Sequence, residues 1–319
     1  MLTLFSCIAI GFIIKKAGIL PDNSASVLAK LETYVVFPAL CFVTMGRNCK
    51  VDTLTTHLIN IILGTVMVLI AIAISIFLSR FFVKEKGAEQ GVYRYALAFA
   101  NSGYVGDPLV LGMFGEVMLS FYKLYTLPLS VAIYTWGLNS VIPKGAKKTS
   151  FIKDLLNPPI IGLILGVIAG VSGTFDMLPE FAHDTLDTLK NCMGPIAMIL
   201  AGIVVASYPI KEMLSNKKVY IATALRLIFI PSLLIAILFF VKEFANMIWD
   251  LNIDNTVLYL CFFSIAAPLG LNTVVFPAAY GGDPKVGAGM AMISHTLCVI
   301  TIPIMYALMT LLFGSPTIA

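Results

Sequence analysis

The sequence predicts an all-α membrane protein with ten transmembrane helices in two inverted five-helix repeats, in which helices four and nine are broken crossover helices. Three observations predict this fold. The composition is strongly apolar, apolar runs of spanning length recur along the whole chain, and loops rich in lysine and arginine alternate with loops that have few of either.

The composition indicates a protein that has lipid as its solvent. Of the 319 residues, 59% are hydrophobic and 12% are charged, whereas a soluble domain is about half apolar and about a quarter charged. The net charge of +4 comes without a basic run interleaved with aromatic residues, so no nucleic-acid partner is expected. The three histidines stand far apart in the sequence, which predicts no metal centre and no cofactor.

Apolar runs long enough to cross a bilayer recur with short polar segments between them. They lie at residues 2–14, 24–45, 57–83, 91–113, 117–142, 157–173, 186–207, 219–241, 255–279 and 286–313. The first run is short for a span. This pattern predicts a first repeat at residues 1–142, a cytoplasmic linker at 143–156 and a second repeat at 157–319.

The basic residues orient these spans, because positive loops stay on the cytoplasmic side. Fourteen follow the odd-numbered spans: Lys15, Lys16, Arg80, Lys84, Lys86, Arg94, Lys144, Lys147, Lys148, Lys153, Lys211, Lys217, Lys218 and Lys285. Three lie in the opposite loops: Arg47, Lys50 and Lys242. A multi-pass protein of the cell membrane with both termini outside is therefore predicted.

Prolines at matching positions indicate the repeat. Pro38 in span two and Pro195 in span seven are 157 residues apart, and Pro108 in span four and Pro268 in span nine are 160 apart. Each half has five spans, an odd number, so the second half enters the membrane from the other side. Inverted repeats of this kind are common in secondary transporters.

Spans four and nine are the candidate functional site, because glycine, proline and polar residues interrupt both. Proline and glycine predict broken helices near the bilayer centre, and the exposed half-helix N-termini suit a carboxylate. The alternative is that glycine and proline merely kink two packed helices. The candidate substrate-binding residues are Asn101, Ser102, Gly103, Tyr104, Gly106, Asp107, Pro108, Pro268, Gly270, Asn272 and Thr273.

Several of these segments resemble motifs of the auxin efflux carrier family, which includes the plant PIN-formed carriers and bacterial carriers of dicarboxylates such as malonate. The similar segments are the fourth-helix motif at 101–109, the start of helix six at 157–162, helix nine at 268–276, its following loop at 280–283, and Thr296 and Thr301–Pro303 in helix ten. Arg226 ahead of Pro231 also fits the family. The long cytoplasmic loop of the plant carriers is absent from this sequence.

The resemblance implies helices four and nine that cross at their breaks, a scaffold domain and a moving domain. It implies a carrier of a small organic anion, with Asn101 and the residues around Pro108 and Pro268 facing the substrate. A sodium-coupled symporter of the bile-acid type is the alternative. The expected partners are the substrate and the lipid bilayer, a homodimer is left open, and the absence of catalytic motifs predicts no enzyme.

Two titratable residues are candidates for proton coupling. Asp107 either titrates during transport or caps the half-helix that begins at Pro108, and the cap is the favoured interpretation. His295 lies deep in span ten and either relays protons or satisfies the hydrogen bond of a neighbour, with the second interpretation favoured.

The other charged residues within the spans are predicted to be interfacial. Lys123 either pairs with Asp107 or extends to the headgroups, and the second interpretation is favoured because it lies near the end of its span. Arg226 is expected to reach the cytoplasmic surface. Lys190 and Glu32 are expected to be interfacial and structural.

Overall fold

The computed structural model describes residues 2–84, 87–141, 156–207, 217–251, 253–270, 272–273, 276 and 285–316. Regular structure in these ranges is helical, apart from one isolated backbone bridge. The first half contains α1 (Leu2–Lys16), α2 (Ser24–Leu31), α3 (Phe37–Asn48), α4 (Leu54–Phe82), α5 (Ala88–Ala98), α6 (Asp107–Tyr125), α7 (Leu127–Ala132) and α8 (Leu138–Val141). The second half contains α9 (Pro158–Ser172), α10 (Glu180–Ala206), α11 (Lys217–Ala224), α12 (Ile230–Trp249), α13 (Thr256–Ala266) and α14 (Lys285–Phe313).

Four π-helical turns interrupt or precede these helices, at Glu32–Val36, Ser102–Gly106, Ile133–Gly137 and Leu225–Phe229. Three of them end two residues before a proline, namely Pro38, Pro108 and Pro231. A proline ring clashes with the carbonyl four residues back and offers no N–H. Widening the preceding turn by one residue accommodates the ring, and such turns are frequent at functional sites.

Five of the described helical stretches are long and apolar enough to cross a membrane: Ser24–Asn48, Thr56–Phe82, Glu180–Ala206, Lys217–Trp249 and Val286–Phe313. The bent pair Ser102–Tyr125 and Leu127–Val141, with 43° between its parts, raises the number to six. Two shorter apolar helices, α9 and α13, accompany them. The chain is thus an integral, all-helical membrane protein, while the count of ten spans stays a prediction.

The chain forms two compact units. The first unit comprises Met1–Ile61, Gly103–Leu124 and Thr149–Ser207. The second unit comprises Ile62–Ser102, Tyr125–Lys148 and Tyr208–Ala319. Each unit takes segments from both halves of the sequence, so neither unit coincides with one predicted repeat.

In the first unit, α1 packs along α10 and α9 packs along α3. Glycines allow both pairs of backbones to come close. A Cβ atom on Gly11 would lie 2.1 Å from the carbonyl oxygen of Ile199, and one on Gly162 would lie 2.5 Å from that of Pro38. Small residues at such contacts are typical of helix pairs in membranes, because lipid provides no hydrophobic drive for their association.

In the second unit, α5 packs against α8, α12 against α13, and α11 against α14. All eleven residues of α13 are buried, as its uniformly apolar sequence predicts. This helix packs against α12 and the π-helical turn Leu225–Phe229. This unit contains α5 and α13, the helices that end at the two predicted breaks.

An additional break at Gly115 divides α6. Its φ of 80° and ψ of −171° are non-helical, a conformation that glycine adopts without a steric penalty. The helical chain therefore ends before Gly115 and starts again after it, close to the predicted boundary between the runs 91–113 and 117–142.

Candidate functional site

The two predicted breaks lie side by side in the second unit. Helix α5 ends where Phe99 adopts extended angles, φ −116° and ψ 129°, and α13 ends at Ala267 with φ −57° and ψ 149°. Ala100 pairs with Leu269 in an antiparallel bridge. The helices of the apolar runs 91–113 and 255–279 thus both end at the predicted positions, and the two interruptions lie next to each other.

Backbone hydrogen bonds hold this crossover together. The N–H of Asn101 donates to the carbonyl of Pro268 at 2.7 Å. The N–H of Leu269 donates to Oγ of Ser294 on α14 at 3.1 Å, and that hydroxyl donates to the carbonyl of Ala291 at 3.0 Å. Non-helical backbone at membrane depth is tolerated where protein satisfies it, and Ser294 is one of the residues that does so here.

His295 fixes the amide of Asn101. Its Nδ1 lies 2.7 Å from the carbonyl oxygen of Ala291, and its Nε2 lies 3.4 Å from Nδ2 of Asn101. Because a carbonyl only accepts, Nδ1 carries the proton and Nε2 accepts from the amide. The favoured interpretation of His295, that it satisfies a neighbour's hydrogen bond, agrees with this geometry.

The remaining predicted site residues of the second unit lie at or directly after the two breaks. Thr273 is fully buried and its hydroxyl donates to the carbonyl of Gly270 at 2.8 Å, so it completes the turn after the break. The side chain of Asn272 is half-buried and has no hydrogen-bond partner among the described residues. Ser102 and Pro268 are buried. Asn101, whose Nδ2 also contacts His295, and Asn272 are therefore the side-chain amides next to the crossover.

Aromatic residues that the sequence analysis did not single out also lie at the crossover. Tyr95 contacts the ring of Phe276 edge-on at a centroid distance of 5.9 Å, and that of Phe99 at 4.9 Å. Phe99 in turn contacts Trp136 at 5.7 Å. These four rings form a contiguous aromatic cluster. The sequence signal that could have identified them is their position within or next to the interrupted spans.

In the first unit, Asp107 forms a buried ion pair with Lys123. Oδ2 of Asp107 lies 2.8 Å from Nζ of Lys123, and the side chains are 1% and 8% exposed. The ammonium also lies 4.3 Å from the ring centroid of Phe37. The favoured interpretation of Lys123, extension to the headgroups, is therefore wrong, and the alternative of pairing holds.

The capping role predicted for Asp107 is also wrong. The π-helical turn Ser102–Gly106 leads directly into α6, so the carboxylate does not begin a new helix. One carboxylate oxygen accepts from Lys123, and the other, Oδ1, has no hydrogen-bond partner in the described part of the chain. The nearby charge of Lys123, rather than a helix end, is what stabilises this carboxylate.

The other predicted site residues of the first unit are neighbours of Asp107 in the sequence. The hydroxyl of Tyr104 lies 2.9 Å from that of Thr33. A Cβ atom on Gly103 would lie 2.8 Å from Cζ of Phe37, so a larger residue there would require the ring of Phe37 to shift. Gly106 and Pro108 are buried.

Arg226, Lys190 and Glu32 are more buried than the sequence analysis expected. Arg226 is 2% exposed and its Nη1 donates to the carbonyl of Ile265, so its predicted extension to the surface is wrong. Lys190 is 4% exposed and pairs with Glu116. Glu32 is fully buried, and neither of its oxygens has a hydrogen-bond partner within the described ranges.

Comparisons with known proteins agree with this description. Over 301 residues, 92% of this chain and 93% of the relative, the chain is 25% identical to an uncharacterized transporter of Methanocaldococcus jannaschii. It is 25% identical over 208 residues, 64% of this chain and 66% of the relative, to an uncharacterized transporter of Methanothermobacter thermautotrophicus.

A third relative, from Rhizobium meliloti, has a name that provisionally assigns it malonate transport. It is 26% identical over 230 residues, 66% of this chain and 68% of the relative. The sequence profile described as membrane transport protein, which defines the auxin efflux carrier family, matches residues 1–306. Since that match covers almost the whole chain, this protein belongs to the auxin efflux carrier family of membrane transporters.

Proposed function

We propose that this transporter is a secondary carrier that moves a small organic anion, a mono- or dicarboxylate, across the cytoplasmic membrane by alternating access. The observation that supports it is the crossover, where two interrupted helices meet beside the neutral amides of Asn101 and Asn272. Interrupted helices of transporters direct half-helix N-termini at anionic groups of their substrates. Neutral amide donors add hydrogen bonds that a carboxylate accepts.

The relative with a name that refers to malonate supports a carboxylate substrate. A sodium-coupled symporter of the bile-acid type would need an acidic cation ligand near the break, and Asp107 is the candidate. Its carboxylate already has a fixed cation, the ammonium of Lys123, at 2.8 Å. This pairing favours the organic-anion carrier over the sodium-coupled alternative.

The architecture that goes with this proposal is ten spans in two inverted repeats, with both termini outside. The packing in the first unit supports it: α1, the first span, packs along α10, the seventh, and α9, the sixth, packs along α3 in the second. In each pair the first span of one half contacts the second span of the other half. Such reciprocal contacts are expected of two repeats related by a two-fold axis.

A thermal-shift panel on the purified protein tests the function, because a ligand that binds only the folded state raises its stability. The panel contains monocarboxylates, dicarboxylates, indole acids and sodium chloride. We expect a carboxylate to stabilise the protein and sodium alone not to do so. Stabilisation by sodium without any carboxylate effect would contradict the proposal and favour the symporter.

Variants Asn101→Ala and Asn272→Ala locate the binding. Loss of a hydrogen bond to a charged group costs about 1.5–3 kcal/mol, which is about tenfold or more in affinity. The matched control is Asn139→Ala, because Asn139 is exposed and its amide donates to the carbonyl of Thr135 in its own helix. If both site variants bind the carboxylate as the control does, the crossover amides only pack.

A further inference from the structure

Arg226 is a buried cation, and one edge of its guanidinium group has no partner among the described residues. The side chain is 2% exposed, and Nη1 donates to the carbonyl of Ile265, one residue before the end of α13. Nε and Nη2 are buried and have no hydrogen-bond partner among the described residues. Within the described part of the chain, the guanidinium group therefore contacts the protein through Nη1 and has no partner along its Nε–Nη2 edge.

That free edge is the one that matches a carboxylate. Nε–H and Nη2–H point in parallel from the same side of the planar guanidinium, so they bind both oxygens of a carboxylate at once. Lysine offers no such fork, because its ammonium is a point charge. The contact with Ile265 fixes the plane of the group, which prepares the fork before any ligand arrives.

The burial of Arg226 favours an anion at its free edge. Burying an unpaired charge costs several kcal/mol, and buried charges in proteins are therefore paired. Charged residues inside membrane segments also mark substrate pathways. No carboxylate of the described residues contacts this edge, and a carboxylate of a ligand is a group that could pair with it.

The local backbone places Arg226 next to the crossover within the second unit. Arg226 lies in the π-helical turn Leu225–Phe229, which packs against α5, α13 and α14. These helices carry the break at Ala100, the break after Ala266 and the histidine that holds Asn101. The unit thus offers two features for an anion, the crossover amides and the guanidinium fork.

We propose that the Nε–Nη2 edge of Arg226 binds one carboxylate of a short dicarboxylate substrate, while the crossover amides bind the other. This inference rests on the proposed carriage of organic anions and makes the substrate class more specific. It assigns Arg226 a binding role in addition to its contact with the carbonyl at the end of α13.

Calorimetric titration of the purified protein in nanodiscs, with malonate and acetate as probes, tests the assignment. The variants are Arg226→Lys, which keeps the charge without the fork, and Arg226→Gln, which keeps an amide donor for the carbonyl of Ile265. We expect both to weaken malonate binding about tenfold or more, and acetate binding by less than about threefold. The control Arg80→Lys makes the same chemical change at an exposed arginine and is expected to change neither affinity.

The possible results separate this inference from the proposed function. If the wild-type protein binds malonate and both Arg226 variants bind it equally well, the fork is wrong and the carrier of carboxylates stands. If no carboxylate binds to the wild-type protein, the proposed function fails and the fork with it. If chloride or inorganic phosphate alone competes as well as malonate does, the edge is a general anion site and the dicarboxylate assignment is wrong.

A second measurement needs no variant, in case both substitutions prevent folding. Phenylglyoxal modifies arginine side chains that become accessible during the transport cycle, and peptide mass spectrometry gives the rate at each position. We expect malonate to slow the modification of Arg226 but not that of Arg80, and acetate to have a smaller effect. Equal rates at Arg226 with and without malonate would overturn the assignment.

Discussion

Removing the ammonium of Lys123 is the sharpest perturbation of the first unit, because it leaves Asp107 as a buried charge without a partner. The two groups are 2.8 Å apart, and their side chains are 8% and 1% exposed. Breaking a buried ion pair by removing one member typically costs about 3–5 kcal/mol. Solvent screening does not reduce this value here, since both groups are buried.

Two details of the structure set the expected size of the effect. The contact of the ammonium with the ring of Phe37, at 4.3 Å, adds about 0.5–2 kcal/mol to what Lys123→Met removes. The unpartnered Oδ1 of Asp107 shows that the pair does not satisfy every acceptor in the described chain, which lowers its net contribution. We therefore expect a loss of about 3–5 kcal/mol for Lys123→Met.

The double variant Asp107→Asn plus Lys123→Met should recover most of that loss, because replacing both members of a buried pair is often nearly neutral. We expect it to lie within about 1 kcal/mol of the wild-type protein, so that the coupling between the two substitutions is at least about 2 kcal/mol. Reversible unfolding in mixed micelles, followed by circular dichroism, measures the four free energies of the cycle.

The control for this cycle is Lys30→Met, at an exposed lysine of the same unit, which is expected to cost less than about 0.5 kcal/mol. A loss below about 1 kcal/mol for Lys123→Met would refute the reasoning. So would a double variant as unstable as Lys123→Met, because the buried carboxylate would then not be the cause of the loss.

Four other predictions follow from separate features. Gly162→Ala should cost about 1–3 kcal/mol of stability, because its Cβ would meet the backbone of Pro38, while Gly87→Ala, with no atom within 4 Å, should cost less than about 1 kcal/mol. Glu32→Gln should raise the free energy of unfolding by about 1 kcal/mol or more, since it removes a buried carboxyl group that has no partner among the described residues. The exposed Glu180→Gln should not raise it, and a loss of stability at Glu32 would contradict this. Asp107→Asn should flatten the pH dependence of carboxylate flux into liposomes, and an unchanged profile would leave Asp107 outside proton coupling. Cysteines placed at Lys147 and after the C-terminus should react from opposite sides of the membrane with an impermeant thiol reagent, and reaction from one side would refute the predicted topology.

The interrupted helices were predictable because their causes are local. Proline removes a backbone donor and glycine permits non-helical angles, so the positions around Pro108 and Pro268 were identifiable in the sequence alone. The break at Gly115 lies where two apolar runs were separated by a short gap. Pairing between the two breaks depended on the resemblance, because no local rule places Ala100 next to Leu269.

The burial of the charged residues was mispredicted because the rule used for them considers only the position of a residue along its span. A charged residue near the end of a span is expected to reach water, and by that rule Lys123 and Arg226 belong to the interface. Lys123 instead pairs with Asp107, which is sixteen residues earlier, on the other side of the non-helical break at Gly115. The length of a span alone does not reveal such a pairing.

Glu32 and Arg226, which were both predicted to be interfacial and are both buried, share a sequence feature. Each lies in a π-helical turn, and a proline follows six residues after Glu32 and five residues after Arg226. The turn widens to accommodate the proline, and this shifts the side chains before it around the helix axis relative to a regular helix. We expect this shift to direct charges at such positions to the interior, where Glu32 and Arg226 both lie. A charged residue five or six positions before a proline within an apolar run is therefore better interpreted as a buried functional candidate than as an interfacial one, and Glu32→Gln and Arg226→Lys are the substitutions that test this rule.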